Sequence, residues 1–188
     1  MNNEDKHTVE KETAMVYKIR LNKSCGGWAD ITIREWPKGG SIDCQSDYGN
    51  YSYSWGSIGD CTLREFLCRL DFHYFMGKTR GGYGQIFSIE KTLAELKAEI
   101  IQQRKNNDLN KDDAHDCWEQ VKRIDEFTGD NLCEYTRAIE INDSFVKKLY
   151  GGDYTCVPFC KIDDPECAAF WERIWPIACE VWEEEING

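Results

Sequence analysis

The chain has 188 residues, of which 23 are Lys or Arg and 34 are Asp or Glu, a formal net charge of −11. That balance excludes a free-standing basic nucleic-acid binder, because neutralising phosphates needs Lys and Arg in excess. With 41% hydrophobic and 13% aromatic residues it is not a disordered chain, and no apolar run reaches the roughly 18–20 residues of a membrane span.

Residues 1–13 are polar without periodicity and read as a flexible leader, followed by a single domain over 14–188. No apolar stretch follows Met1, so the expectation is no secretory signal and a protein of the reducing cytosol. Met15, Tyr17, Ile19 and Leu21 alternate with Val16, Lys18 and Arg20 and predict a strand. Ala29, Ile31 and Ile33 predict a second strand, Ile42 and Cys44 a third, and Tyr51, Tyr53 and Trp55 a fourth. Turn chemistry at Pro37–Gly40 and Asp47–Asn50 makes the connections short, hence an antiparallel meander over 15–56 with Ile31 and Ile33 on its buried face.

At Asp60 the period changes from strand to helix. Thr62-Leu-Arg-Glu65 fits a capping box, and Leu63, Phe66, Leu67, Leu70 and Tyr74 predict one helix over 62–76. Gly81–Gly84 reads as a flexible loop. Ser88 caps a second helix carrying Ile89, Leu93, Leu96, Ile100 and Ile101. A third places Ala114, Cys117, Trp118, Val121, Ile124 and Phe127 on one face, with Gly129 as terminator. Residues 130–150 form a less regular fourth helix. Asp164 and Pro165 open the last one, which Pro176 kinks or interrupts. The fold class is therefore α+β, a four-stranded antiparallel sheet packed against about five C-terminal helices.

Ten cysteines in a reducing compartment are expected as free thiols, and Cys68 and Cys117 fall on apolar helix faces. Cys156, Cys160, Cys167 and Cys179 lie within 24 residues, but only the first two have zinc-site spacing. Small buried side chains are the competing reading, and the expectation is no metal and no cofactor. His115, in the run Asp112-Asp-Ala-His-Asp116, has Glu119 at i+4 and reads as half of a surface pair. His7 and His73 are too scattered to join it. No nucleophile elbow, Walker loop or dinucleotide fingerprint occurs. The Tyr51, Tyr53 and Trp55 stripe offers either a base-stacking face or a core face. Asp43, Asp47 and Asp60 nearby argue for the core.

The charge is uneven. Residues 101–188 hold 10 basic and 20 acidic residues, nearly the whole excess. On the third helix Asp112, Asp116, Glu119 and Glu126 project away from the apolar stripe, and Glu172, Glu180, Glu183 and Glu184 follow in the last segment. Carboxylates three or four helical positions apart stand roughly 4.5–6 Å apart along the axis, of the order of the charge spacing of a nucleic-acid strand. Such an array either occupies a basic groove on a partner or is simply a solvated face. Residues 183–185 are expected to fray and to matter less than the third helix.

Three segments share a recognisable pattern: Ser41-Ile-Asp-Cys-Gln-Ser-Asp-Tyr-Gly-Asn-Tyr-Ser-Tyr-Ser-Trp-Gly56, Phe66-Leu-Cys-Arg-Leu-Asp-Phe-His-Tyr-Phe-Met-Gly-Lys78 and Phe170-Trp-Glu-Arg-Ile-Trp-Pro176. Together they resemble a family of small phage- and prophage-encoded proteins without an assigned activity, although this chain is richer in cysteine. The resemblance implies a phage accessory protein made in the cytoplasm of a bacterial host and brings no catalytic residues with it. Three functions compete. The first is a non-enzymatic inhibitor that binds a basic host protein complex, with no direct contact to nucleic acid or membrane. The others are a small metal- or nucleic-acid-dependent enzyme and an oligomeric phage component.

Overall fold

A computed structural model describes residues 9–22, 26–129 and 131–188, with the side chains of Tyr83 and Phe127 outside the description. His7, Cys25 and most of the expected leader fall outside it too.

Alternation from Met15 to Trp55 builds four strands: β1 (Met15–Arg20), β2 (Trp28–Trp36), β3 (Gly39–Ser46) and β4 (Gly49–Trp55). They pair antiparallel in chain order. Ile33 lies opposite Ile42, Ile31 opposite Cys44, and Cys44 opposite Tyr51. This register puts all five of these side chains on the buried face. Ile31 and Ile33 are fully buried, as their alternation predicts. The β2–β3 turn is Pro37-Lys38, with Lys38 at φ 65°, and both following glycines belong to β3. A Cβ on Gly40 would meet Leu63 Cδ2 at 2.6 Å and Arg34 O at 2.7 Å, so glycine there lets a helix sit directly on the strand.

Where periodicity predicts about five helices, eight are present among the described residues, because three of the five are split. Thr62 and Glu65 form the expected capping box of α1 (Leu63–Cys68). The Asp71 side chain then accepts the Tyr74 N–H and starts α2 (Phe72–Thr79), so residues 62–76 are two helices, not one. Ser88 caps α3 (Ile89–Asn106), and Asn110 caps α4 (Lys111–Thr128). Residues 130–150 divide into α5 (Leu132–Glu140) and α6 (Asp143–Tyr150) around Ile141-Asn142. Asp164 and Pro165 open α7 (Pro165–Arg173), and Pro176 stands in the first turn of a separate α8 (Trp175–Asn187). Gly81–Gly84 is a 3-10 turn. A two-stranded ribbon, β5 (Gln85–Phe87) with β6 (Lys161–Asp163), is too short for any periodicity to announce it.

The chain forms two compact units, residues 1–84 with 164–188, and residues 85–163. The first boundary follows the short glycine-rich stretch Gly81–Gly84 and the second, at Asp163-Asp164, has no linker-like composition, so the sequence reads as one domain over 14–188. In the first unit the sheet buries one face under α1, α2, α7 and α8. Tyr51, Leu67, Phe75, Phe170 and Trp182 are among its fully buried side chains. Tyr51 stacks on Phe170 at 4.1 Å between centroids, and Trp55 meets Phe66 edge-on at 5.7 Å. The aromatic stripe is thus core, with Tyr53 half-buried at its margin. The second unit closes its own core from α3 to α6 around Leu96, Val121, Ile124, Phe145 and Val146. The sheet's helical cover is therefore four helices, and the other four have a separate core. No helix among the described residues is long and apolar enough to cross a membrane.

Candidate functional site

The acidic second half of the sequence does not coincide with one structural unit. The helical unit holds 11 basic and 16 acidic residues and the sheet unit 12 and 18, net charges of −5 and −6. The eight candidate carboxylates divide equally: Asp112, Asp116, Glu119 and Glu126 on α4, and Glu172, Glu180, Glu183 and Glu184 on α7 and α8. Each set is a surface of its own unit.

On α4 the apolar stripe is anchored by Cys117, Val121 and Ile124, all buried, which turns the acidic positions outward. Two of the four are already neutralised. Lys148 of α6 reaches Asp113 Oδ1 at 2.6 Å and Asp116 Oδ2 at 3.1 Å, and Lys122 reaches Glu119 Oε1 at 2.6 Å. The hydrogen bond from Lys148 holds the Asp113 carboxyl below its ordinary range, and that from Lys122 does the same for Glu119. His115 contributes to Glu119 only electrostatically, so the closer pair is Glu119 with Lys122 at i+3 and not the expected pair with His115 at i+4. Between α4 and α6 runs a polar groove of about 340 Å³ lined by His115, Asp116, Glu119, Arg123, Asn142 and Lys148. Asp112 and Glu126 are exposed, with no ion pair to another described residue.

The α8 set is different. Trp175, Ala178 and Trp182 are buried, which fixes the helix through Asn187 and puts Glu180, Glu183 and Glu184 in solvent. Where a frayed end is expected, α8 continues to Asn187, with Trp182, at 0% exposure, five residues from the helix end. Glu185 is the carboxylate here that finds partners, with Arg64 Nη1 at 2.8 Å and the Tyr17 hydroxyl at 2.7 Å. Arg64 also donates to Glu35. Glu172, Glu180, Glu183 and Glu184 make no ion pair with a described residue. From Trp175 to Asn187 the sequence has four glutamates and no Lys, Arg or His. Three of those glutamates stand at the C-terminal end of the helix, where the backbone dipole favours cations.

The neutralising partners Lys148 and Arg64 are distant in sequence and leave no local signal. Lys122, three positions after Glu119, does leave one. Among the described residues no group of three or more His, Cys, Asp or Glu side chains is placed to hold a metal ion. Cys156 is exposed beside Asp153, Cys160 is half-buried beside Thr92, Cys167 is buried beside Tyr51, and Cys179 is half-buried beside Cys68. Each tail thiol thus has a different neighbour. Cys117 is core, and Cys68 packs half-buried against the core of the sheet unit.

A model of a phage family matches residues 8–184. No curated protein and no solved structure matches the chain.

Proposed function

The chain belongs to a phage family, and on that premise we propose that it is a non-enzymatic accessory protein of the host cytoplasm. It binds and inhibits a nucleic-acid-handling or defence complex, of the anti-CRISPR or other anti-defence kind, through a cationic surface on that complex. The observation that carries this reading is the outer face of α8. Glu180, Glu183 and Glu184 are i, i+3 and i+4 neighbours of like charge, and two of them also oppose the helix dipole. A surface left in that state within the free protein is relieved by a cationic partner. The spacing of its charges, roughly 4.5–6 Å along the axis, suits a groove built for phosphates. Glu172 on α7 adds a further carboxylate, and on α4 Asp112 and Glu126 are the bare charges.

The test uses the full tagged chain against bacterial host lysate, followed by association kinetics with whatever is captured, at low and at moderate salt. A basic partner is expected, with association that slows steeply as salt rises. The variant E180K/E183K/E184K should associate at least about tenfold more slowly, since like charge then faces the groove. D112K/D116K/E119K should do less, because Asp116 and Glu119 are already paired with lysines. Equal association by the α8 variant and the parent at low salt overturns the reading.

A further inference from the structure

We propose that Cys68 and Cys179 form a reversible disulfide that joins α1 to α8. Cys68 is the last residue of α1, and α1 packs against α8 within the sheet unit. Cys68 Sγ lies 3.9 Å from the Cys179 carbonyl oxygen, so the two residues face each other across the helix contact. Both are half-buried at the margin of the core, where a small reagent reaches them, unlike Cys44, Cys117 and Cys167, which are buried. Cys133 and Cys156 are exposed, and the neighbour of Cys156 is a carboxylate, not a second thiol.

The chemistry of the pair is asymmetric. The Cys179 thiol hydrogen-bonds to Cys68 and holds the Cys68 thiol below its ordinary value, helped by the charge of Arg69. Burial and the Glu183 carboxylate oppose this. The same hydrogen bond, with burial, drives the Cys179 thiol up. Cys68, beside Arg69 at the end of α1, is assigned the first attack and Cys179 the resolving step.

The oxidant is a small-molecule aliphatic disulfide, RSSR. The Cys68 thiolate attacks one of its sulfurs, the S–S bond breaks, and one RS⁻ leaves, giving a Cys68–S–S–R mixed disulfide. Cys179, losing its proton, attacks the Cys68 sulfur and expels the second RS⁻. The two released thiolates take up the two protons. Two protein thiols are oxidised by two electrons, and one RSSR is reduced to two RSH. The product closes a loop that contains the whole of residues 85–163, and a cross-link closing so long a loop lowers the entropy of the unfolded chain.

The experiment takes the reduced full chain into a mixture of oxidised and reduced glutathione, quenches it with acid and an alkylating reagent, and maps peptides without reduction. The expected product is the Cys68–Cys179 cross-linked peptide. It should exceed the mixed disulfide at Cys68 by at least about tenfold, because the second step is intramolecular. Cys179→Ser should trap glutathione on Cys68, and Cys68→Ser should leave Cys179 as a free thiol. The oxidised parent should melt at a higher temperature than the reduced one. The proposal is overturned if parent protein carries glutathione on both residues without the cross-link, or if both remain thiols while Cys133 and Cys156 react. The mapping of the parent decides this whether or not the serine variants fold, and independently of any partner.

Discussion

Trp182 is where the stability of the acidic helix is most open to measurement. Its ring is fully buried, edge-on to Tyr17 at 5.8 Å and to Trp175 at 5.6 Å. Its indole N–H finds no acceptor among the described residues. Trp182→Ala removes the ring and leaves a cavity, at a cost of about 3–5 kcal/mol. Trp182→Phe does two opposing things. It gives up roughly 40 Å² of buried ring surface, worth about 1 kcal/mol at ~25 cal/mol per Å². It also removes a buried unsatisfied donor, whose desolvation costs about 1–3 kcal/mol. The two nearly cancel, so Trp182→Phe is expected within about 1 kcal/mol of the parent while Trp182→Ala falls well below it. Urea titration followed by tryptophan fluorescence reads this directly, since six of the seven tryptophans lie in the sheet unit. Far-UV circular dichroism on the same samples reports both units. If Trp182→Phe costs as much as Trp182→Ala, the indole N–H is satisfied in the protein and the reasoning fails.

Asp71→Ala removes the side chain that accepts the Tyr74 N–H and should cost about 1 kcal/mol. Amide exchange should quicken across 72–76, ahead of the rest of the sheet unit; unchanged exchange there would mean that packing of Phe75 alone starts α2. Lys148→Met removes the cation shared by Asp113 and Asp116 and should speed amide exchange in α6. Asp113 has a lowered native value, so its contribution is fully present above the unfolded carboxylate value of about 3.9 and is lost as pH falls through the lower native value. In acid titrations followed by circular dichroism the parent should therefore lose more stability than Lys148→Met over that window, and identical profiles would refute the assignment.

What the sequence carries about this fold follows from the range of each interaction. The β1–β4 register is legible because period-two alternation is local: Ile31 and Ile33 must face the same way, and Cys44 and Tyr51 follow through short turns. The capping box at Thr62 and the start of α7 at Pro165 are legible for the same reason. The break at Asp71 was present in the residues but hidden by Leu70 and Tyr74, which continue the apolar spacing across it. The segregation of α3–α6 into their own core was not legible. An apolar stripe states that a helix has a buried face and not which face it meets. The site shows the same limit. Eight carboxylates could be placed on helices from sequence, and Lys122 beside Glu119 was within local reach, but the neutralisation of Asp116 depended on Lys148, 32 positions away.

The two acidic helices therefore present different surfaces despite similar composition. On α4 the charges are part of how the helical unit holds together, since Lys148 ties α6 to Asp113 and Asp116. Charge reversal there damages an intramolecular contact before it reaches any partner. On α8 the balance is of another kind. Like-charged i, i+4 neighbours cost about 0.2–0.5 kcal/mol per pair, and a carboxylate at the wrong end of the helix dipole costs about 0.3–1 kcal/mol. Burial of the Trp182 ring outweighs both, at about 3–5 kcal/mol by the cost of truncating it. The helix is thus held from its apolar side alone, with Glu185 pinned by Arg64 and Tyr17 at its edge. Glu180, Glu183 and Glu184 contribute nothing to that hold. Reversing them to lysine should leave the fold intact and, by placing cations at the C-terminal end of the helix dipole, not weaken it, which makes α8 the surface on which a loss of binding can be read without a loss of stability.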